Sequence, residues 1–313
     1  MRKSIIWLSL ACGILLLPAC KKEESTVSTP SLTGLSVSKA VPYVLAGETL
    51  VIHANTDYIS ASDRSDPGVL GLYWQVNSAK RDTLSPRLPE DYMDFVYTAD
   101  TLGTYTVSCY AYAKSGYYNA SASTTFSAID PDTALTGLEG TADTPAGSIL
   151  VRTATIGGAV WMAQNLYGTD TGMDYRNADA VTSVFGRYYT WKEAVTACPA
   201  GWHLPSAAEW DALGTDAWAL MAPVLFLEKE MWEIAQGQAI TNSLKFNAIP
   251  TGYIDKTASE QEHGLGQYAA FWTADAADQS TAHCRYLRFD QGKVIPFQGD
   301  KETLAMSVRC VKD

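Results

Sequence analysis

Cys198-Pro199-Ala200-Gly201-Trp202-His203-Leu204-Pro205-Ser206-Ala207-Ala208-Glu209-Trp210 is the stretch whose local chemistry decides the second half of this chain. Just upstream, Trp191, Ala194, Val195 and Cys198 are spaced i, i+3, i+4 and i+7, one face of a helix. Pro199-Ala200-Gly201 stops that helix, since proline cannot continue it and glycine tolerates the exit conformation. Ser206 and Glu209 then have capping-box spacing, in which each side chain satisfies a backbone N–H left open at a helix start. A second helix comes next, with Trp210 and Leu213 pointing one way, and Pro205 just ahead of the cap fits that start. Residues 216–236 read as further helix, broken at Pro223. Toward the C-terminus the period falls to two, as in Tyr286-Leu287-Arg288-Phe289 and Met306-Ser307-Val308-Arg309-Cys310. Helices early and strands late make an α+β body.

The stretch belongs to a longer series. Thr155-Ile156-Gly157-Gly158-Ala159-Val160-Trp161-Met162-Ala163-Gln164-Asn165-Leu166 precedes it, then Gly186-Arg187-Tyr188-Tyr189-Thr190-Trp191. FNAIPTGY at 246–253, FWTAD at 271–275 and SVRCVKD at 307–313 come after it. In this order the strings resemble the Fibrobacter succinogenes major paralogous domain, a family with a C-type-lectin-like fold, over residues 148–313. Ile254 stands where an Arg is common in the family, and Ala274 where a Ser is common. In lectin-like folds a bridge ties the first helix to the closing strand, so the resemblance implies a Cys198–Cys310 disulfide. Periodicity alone gives both cysteines an apolar face and leaves Cys198 with Cys284, or Cys284 with Cys310, as rival pairs. The calcium-lectin signatures Glu-Pro-Asn, Gln-Pro-Asp and Trp-Asn-Asp are absent, so the fold does not license calcium-dependent sugar binding. Formylglycine-generating enzymes share a similar fold and use a cysteine pair, but the strings around Cys284 and Cys310 do not match theirs.

Residues 32–129 read as all-β. Leu50, Ile52 and Ala54 alternate with polar or exposed positions, as do Leu72, Trp74 and Val76, and Tyr105, Val107, Cys109 and Ala111. Tyr73-Trp74-Gln75-Val76 and Gly103-Thr104-Tyr105-Thr106-Val107 resemble the PKD type of immunoglobulin-like sandwich, although Asn77-Ser78-Ala79-Lys80 replaces the family's Asp-Phe-Gly-Asp-Gly. The strand around Leu50 has no cysteine, so an antibody-type bridge between the sheets cannot form and Cys109 reads as a buried, unpaired thiol. Tyr110 and Tyr112 fall on the opposite strand face, with Tyr117 and Tyr118 beyond, and form one candidate binding patch. Residues 130–147, rich in Pro, Gly, Thr and Asp, read as an interdomain linker.

At the start of the chain Arg2 and Lys3 precede an apolar stretch from Ile5 to Leu17, and Leu17-Pro18-Ala19-Cys20 resembles a lipobox. Residues 1–19 are therefore expected to be a secretory signal and Cys20 the lipidated residue, a membrane anchor with residues 20–31 as flexible tether. Lys22-Glu23-Glu24 resembles the export signal that carries lipoproteins of Bacteroidota to the cell surface, which implies an outer-membrane, surface-exposed location. A net charge of −11 over 313 residues argues against nucleic acid as a partner. Trp161, Trp191, Trp202, Trp210 and Trp272 sit in fold-defining strings and are expected in the core, whereas Trp218 and Trp232 lie in a less patterned insertion and are the tryptophans expected at a binding surface. His203 reads as a structural histidine, and His53, His263 and His283 are isolated. No catalytic residue, metal ligand or cofactor is indicated. The expectation is a non-catalytic surface lipoprotein that binds a glycan or protein. A structural subunit of the envelope or a pilus is the alternative, and an enzyme on the same scaffold is a third reading.

Overall fold

The computed structural model describes residues 32–38, 42–56, 70–77, 79–84, 94–113, 118–233, 239–258 and 261–313. The expected signal, Cys20 and the tether lie outside the described residues. Among the described residues no helix is long and apolar enough to cross a membrane.

The N-terminal part obeys the period-two pattern. Its strands are β1 (Leu32–Val37), β2 (Tyr43–Leu45), β3 (Thr49–Thr56), β4 (Leu70–Val76), β5 (Ala79–Leu84), β6 (Asp94–Thr98), β7 (Gly103–Ala113) and β8 (Tyr118–Ile129). They form a three-stranded sheet, β1-β3-β6, and a five-stranded sheet, β2-β8-β7-β4-β5, in which β2 runs parallel to β8. The three alternating apolar runs are all buried in one core between the sheets. Trp74 on β4 stacks on Phe95 of β6 at 5.0 Å, so one ring pair clamps sheet to sheet. Truncating a tryptophan so placed costs about 3–5 kcal/mol. Cys109 is buried and unpaired, and burial pushes its thiol up to about 12.

Residues 130–147 do not form the expected linker. Asp130 caps a short helix, α1 (Pro131–Ala134), and the chain runs on through β9 (Leu135–Thr136) and β10 (Thr141–Ala146). β10 pairs with β11 (Ile149–Ile156), which pairs with β12 (Ala159–Met162). Turn-forming residues dominate here, but backbone N–H and C=O groups of the segment find partners in other strands, which local composition does not reveal. The connection is also clamped from the side. Tyr43 on β2 meets the rings of Tyr175, Phe185 and Phe226 at 6.4, 6.1 and 5.3 Å, and Ile129 and Ala134 enter the same core. The sandwich is thereby docked on the C-terminal part through a shared aromatic core.

The C-terminal part is mixed. Its helices are α2 (Thr182–Phe185), α3 (Trp191–Ala197) and α4 (Ala207–Ala212), with β13 (Trp202–His203) between the last two. Both helix starts carry a capping box: Thr190 N–H donates to Glu193 at 2.8 Å, and Ser206 N–H donates to Glu209 at 2.7 Å. The expected apolar face of α3 is only partly realised. Ala194 is buried and Cys198 packs against the core, but Val195 is 41% exposed, because α3 is two turns long and its far side faces solvent. Residues 216–233 do not form the expected helix, and 234–236 lie outside the described residues. Within them lies a hairpin of β14 (Leu225–Phe226) and β15 (Lys229–Glu230), with β14 also pairing to β9. Its turn holds Leu227 and Glu228 at φ 49° and 66°, a left-handed conformation incompatible with helix.

Beyond lie β16 (Tyr253–Asp255), β17 (Gln261–His263), β18 (Tyr268–Ala276), β19 (Thr281–Arg288), β20 (Gln291–Asp300), β21 (Leu304–Ala305) and β22 (Val311–Lys312). β22 joins a five-stranded sheet, β10-β11-β12-β22-β13, while β18-β19-β20 form an antiparallel sheet with apolar clusters on both faces. In the run 306–310 the alternation separates Met306, Val308 and Cys310 from Ser307 and Arg309, yet both sets are buried.

Candidate functional site

The residues singled out from the sequence do not gather at one place. Trp232 is only 5% exposed and belongs to the core around Trp161 and Trp210, which corrects the expectation of an exposed platform there. Trp218 is half-buried against that core, and a Cβ at Gly292 would collide with its indole. The insertion carrying both tryptophans folds back because its own apolar residues, Met221 and Leu220, need covering. Tyr110 lies on the sandwich with its ring 5.7 Å from that of Tyr73. Tyr112 and Tyr118 are paired across β7 and β8, and Tyr117 lies outside the described residues. Trp161, Trp202, Trp210 and Trp272 are buried, and Trp191 is half-buried with its indole N–H donating to the Thr273 carbonyl at 2.9 Å.

Cys198 and Cys310 are joined in a disulfide, with Cα atoms 5.9 Å apart, and tie the end of α3 to the approach to β22. Cys284 is buried and unpaired, and burial raises its thiol to about 12 despite Arg285 beside it. A thiol so protonated is a poor nucleophile. His203 lies between two carboxylates, Nδ1 2.7 Å from Asp313 and Nε2 2.9 Å from Glu209. The hydrogen bond to Glu209 raises its pKa, burial opposes this, and Asp313 adds to the rise. Glu209 also closes the cap of α4, so the histidine ties Asp313 to a helix start. Both ring nitrogens are engaged by carboxylates, and among the described residues no hydroxyl or thiol nucleophile is bonded to either. Among the described residues no group of three or more His, Cys, Asp or Glu side chains is placed to hold a metal ion.

The sequence reading missed Arg309. It is fully buried, donates to Asn165 Oδ1 at 2.8 Å and to the carbonyls of Met162, Phe246 and Asn247, and lies 4.7 Å from the Phe246 ring centre. Burial lowers its pKa to about 9. With carbonyls rather than a carboxylate as partners, its role is to satisfy the segments around Met162 and Phe246 where they meet in the core.

A second missed group is at the surface. β16, β17, β18, β19 and β20 bring together Tyr253, His263, Tyr268, Tyr286 and Phe297, all at least partly exposed. Tyr286 is the centre, 5.4 Å from Phe297, 6.1 Å from Tyr253 and 6.4 Å from Tyr268, with each pair of planes crossed at 62–71°. Tyr253 stacks on His263 at 5.4 Å. Phe297 is 50% exposed on β20, opposite Cys284 in register. Arg288 stands over the Tyr268 ring at 5.6 Å and is held by both carboxylate oxygens of Asp290 at 3.0 Å. Burial raises the pKa of Tyr286 and of Tyr253. Among the described residues none of the three tyrosine hydroxyls bonds to another protein group, and none is sealed from solvent. The arrangement is a surface cluster of crossed rings, termed the aromatic cup below, with unused hydroxyls and a charge-balanced ion pair beside it. One hint was present in the sequence: Tyr286 and Arg288 share a face in an alternating run, and Tyr253 closes the string FNAIPTGY. Their meeting depends on strand register, which the sequence does not display.

No curated protein matches the chain. Among solved structures, a carbohydrate-binding module of the β-sandwich superfamily is 12% identical, with a TM-score of 0.29, covering 91% of this chain and 92% of that one. The Yersinia pseudotuberculosis adhesin InvE is 13% identical, with a TM-score of 0.26, covering 90% of this chain and 71% of that one. Likeness this slight supports no conclusion about ligand or mechanism. The match to a sequence family is of another kind: it spans residues 154–312, just over half of the chain, and contains the capped helices, the disulfide, Arg309 and the aromatic cup. By that match the chain belongs to the Fibrobacter succinogenes major domain family.

Proposed function

We propose that this protein is a non-catalytic, lipid-anchored binding protein of the bacterial cell surface, which takes its ligand on the aromatic face around Tyr286. The carrying observation is that face: five part-exposed rings in contact, with tyrosine hydroxyls that no protein group among the described residues uses. Aromatic side chains left at a surface offer large contact area at low entropic cost. The N-terminal part is read as an immunoglobulin-like sandwich. In support, Tyr105 donates its hydroxyl to the Thr101 carbonyl four residues upstream at 2.7 Å, the pattern of a tyrosine corner. The C-terminal part is read as lectin-like, with a bridge from its first long helix to its closing strand in support. The anchor reading rests on Leu17-Pro18-Ala19-Cys20 and the export reading on Lys22-Glu23-Glu24. The non-catalytic reading is supported by the engaged nitrogens of His203 and the protonated thiol of Cys284.

The test uses fluorescent mature chain, residues 20–313 with Cys20→Ser, on immobilised mucin and on bacterial envelope. Retention on one of these surfaces, lost in Phe297→Ala and Tyr253→Ala variants of unchanged melting temperature, is the expected result. Retention that neither substitution changes would remove the aromatic face from the binding role.

A further inference from the structure

We infer that the ligand of the aromatic cup is a neutral glycan chain, with pyranose C–H faces on Phe297 and Tyr286 and sugar hydroxyls bonded to the tyrosine oxygens and the Arg288–Asp290 pair. This rests on the reading of the cup as the ligand surface. The ring faces carry the negative side of the aromatic quadrupole and attract the weakly positive C–H faces of a sugar. A sugar also needs donors and acceptors around its edge. The hydroxyls of Tyr253, Tyr268 and Tyr286 supply both and have no competing protein partner among the described residues. Arg288 and Asp290, paired at 3.0 Å, add a planar donor and an acceptor without adding net charge.

Charge separates this ligand class from its rivals. The chain carries a net −11, which disfavours acidic polymers, and Arg288 is neutralised by Asp290. A cationic ligand would need an unpaired carboxylate beside the rings. On β17 Glu262 pairs with Arg176, and on β16 Asp255, though it keeps its charge, has its Oδ1 taken up by the Thr257 N–H and hydroxyl. The Tyr268 ring is already covered by Arg288, which occupies the place of a cation over that ring. A protein partner would need a contiguous apolar patch. The patch here is the rings alone, without an aliphatic surround: among the described residues Phe297 is the one large apolar side chain exposed here, and Leu45, Val96, Leu102, Leu150, Val195 and Leu225 are on other elements or loops.

The experiment titrates the full mature chain carrying Cys20→Ser with cellopentaose, laminaripentaose, xylopentaose and mannopentaose, and with tetragalacturonate and a heparin tetrasaccharide as acidic counterparts. At least one neutral oligosaccharide binds and the acidic ones do not. Phe297→Ala weakens that binding about five- to tenfold, and Tyr286→Phe, which removes only the hydroxyl, weakens it by a smaller factor. Trp218→Phe, outside the cup, leaves it unchanged. In parallel, periodate oxidation of the immobilised mucin or envelope abolishes retention and proteolysis of that surface does not. Preference for an acidic oligosaccharide, or retention that survives periodate and falls with protease, overturns the neutral-glycan assignment. If retention still requires Phe297 in that second case, the cup stands as the binding face and only the ligand class falls. If Phe297→Ala leaves retention and oligosaccharide binding intact, both fall.

Discussion

Removing the Cys198–Cys310 bridge tests how the C-terminal part is held together. The two residues are 112 positions apart, and the bridge joins the end of α3 to the approach to β22. Closing a loop of that size removes about 16 cal/mol/K from the unfolded chain in the chain-entropy treatment, or about 4.8 kcal/mol at 25 °C. Against a net domain stability of about 5–15 kcal/mol this is a large share. Cys310 is fully buried beside Met306, Val308 and Cys284, so alanine there adds a small packing loss. The Cys198→Ala/Cys310→Ala double variant is the right perturbation, because either single variant leaves behind a free thiol that the parent does not have. Calorimetry should show the transition of this part lowered by roughly 10–20 °C, given about 2–4 °C per kcal/mol for a unit of this size. Because Tyr43 docks the sandwich on the same body, part of the loss should also appear in the sandwich transition. A double variant melting within about 3 °C of the parent would refute the account, since the bridge would then constrain nothing that the folded core does not already fix.

Arg309→Met should destabilise the fold by about 3–5 kcal/mol, because Asn165 Oδ1 and three backbone carbonyls lose their donor in a sealed core; chemical denaturation reads it, and a loss below about 1 kcal/mol would contradict the role given to the guanidinium. His203 has a folded pKa raised by Glu209, so its contribution is complete below the unfolded value of about 6.5 and is lost as pH rises through the raised one; the pair is partly exposed, so the effect is under about 1 kcal/mol, and His203→Gln should flatten the melting temperature against pH in that window. Tyr43→Ala should uncouple the sandwich from the C-terminal part and, since Tyr43 is only partly buried, cost about 1–3 kcal/mol, seen as two separated calorimetric transitions where the parent shows overlapping ones. Cys20→Ala should abolish labelling by a fatty-acid probe, and replacing Lys22, Glu23 and Glu24 by alanine should reduce protease shaving from intact cells; wild-type chain without a lipid mass would remove the anchor reading.

Features legible in the sequence and features hidden from it divide by the range of the interaction. Ser206 with Glu209, and Thr190 with Glu193, are contacts over three residues, so they need no tertiary partner. Alternation in Leu50-Val51-Ile52-His53-Ala54 is likewise local, because a strand presents every second residue to its core. The failures are non-local. Residues 216–236 have helix-like composition, but β14 is claimed by β9 far upstream, and Leu227 and Glu228 are held left-handed in the hairpin that this pairing anchors. Trp232 reads as free because nothing near it in sequence covers it, whereas Trp161, Phe246 and Leu287 join it in one core from three separate segments. Arg309 shows the limit most plainly. In an alternating run a charged residue reads as the solvent face, yet β18 and the segment around Phe246 cover that face and supply carbonyls and rings for the charge. The aromatic cup belongs to the same class. Each of its rings lies in an ordinary strand, and only the registers pairing Tyr253 with His263, Tyr268 with Arg288 and Cys284 with Phe297 bring them together. A one-residue slip in β20 would turn Phe297 to the opposite face of its sheet and leave Tyr286 without its exposed neighbour, so the aromatic face proposed for binding depends on the same strand pairing that buries Trp272 and Cys284.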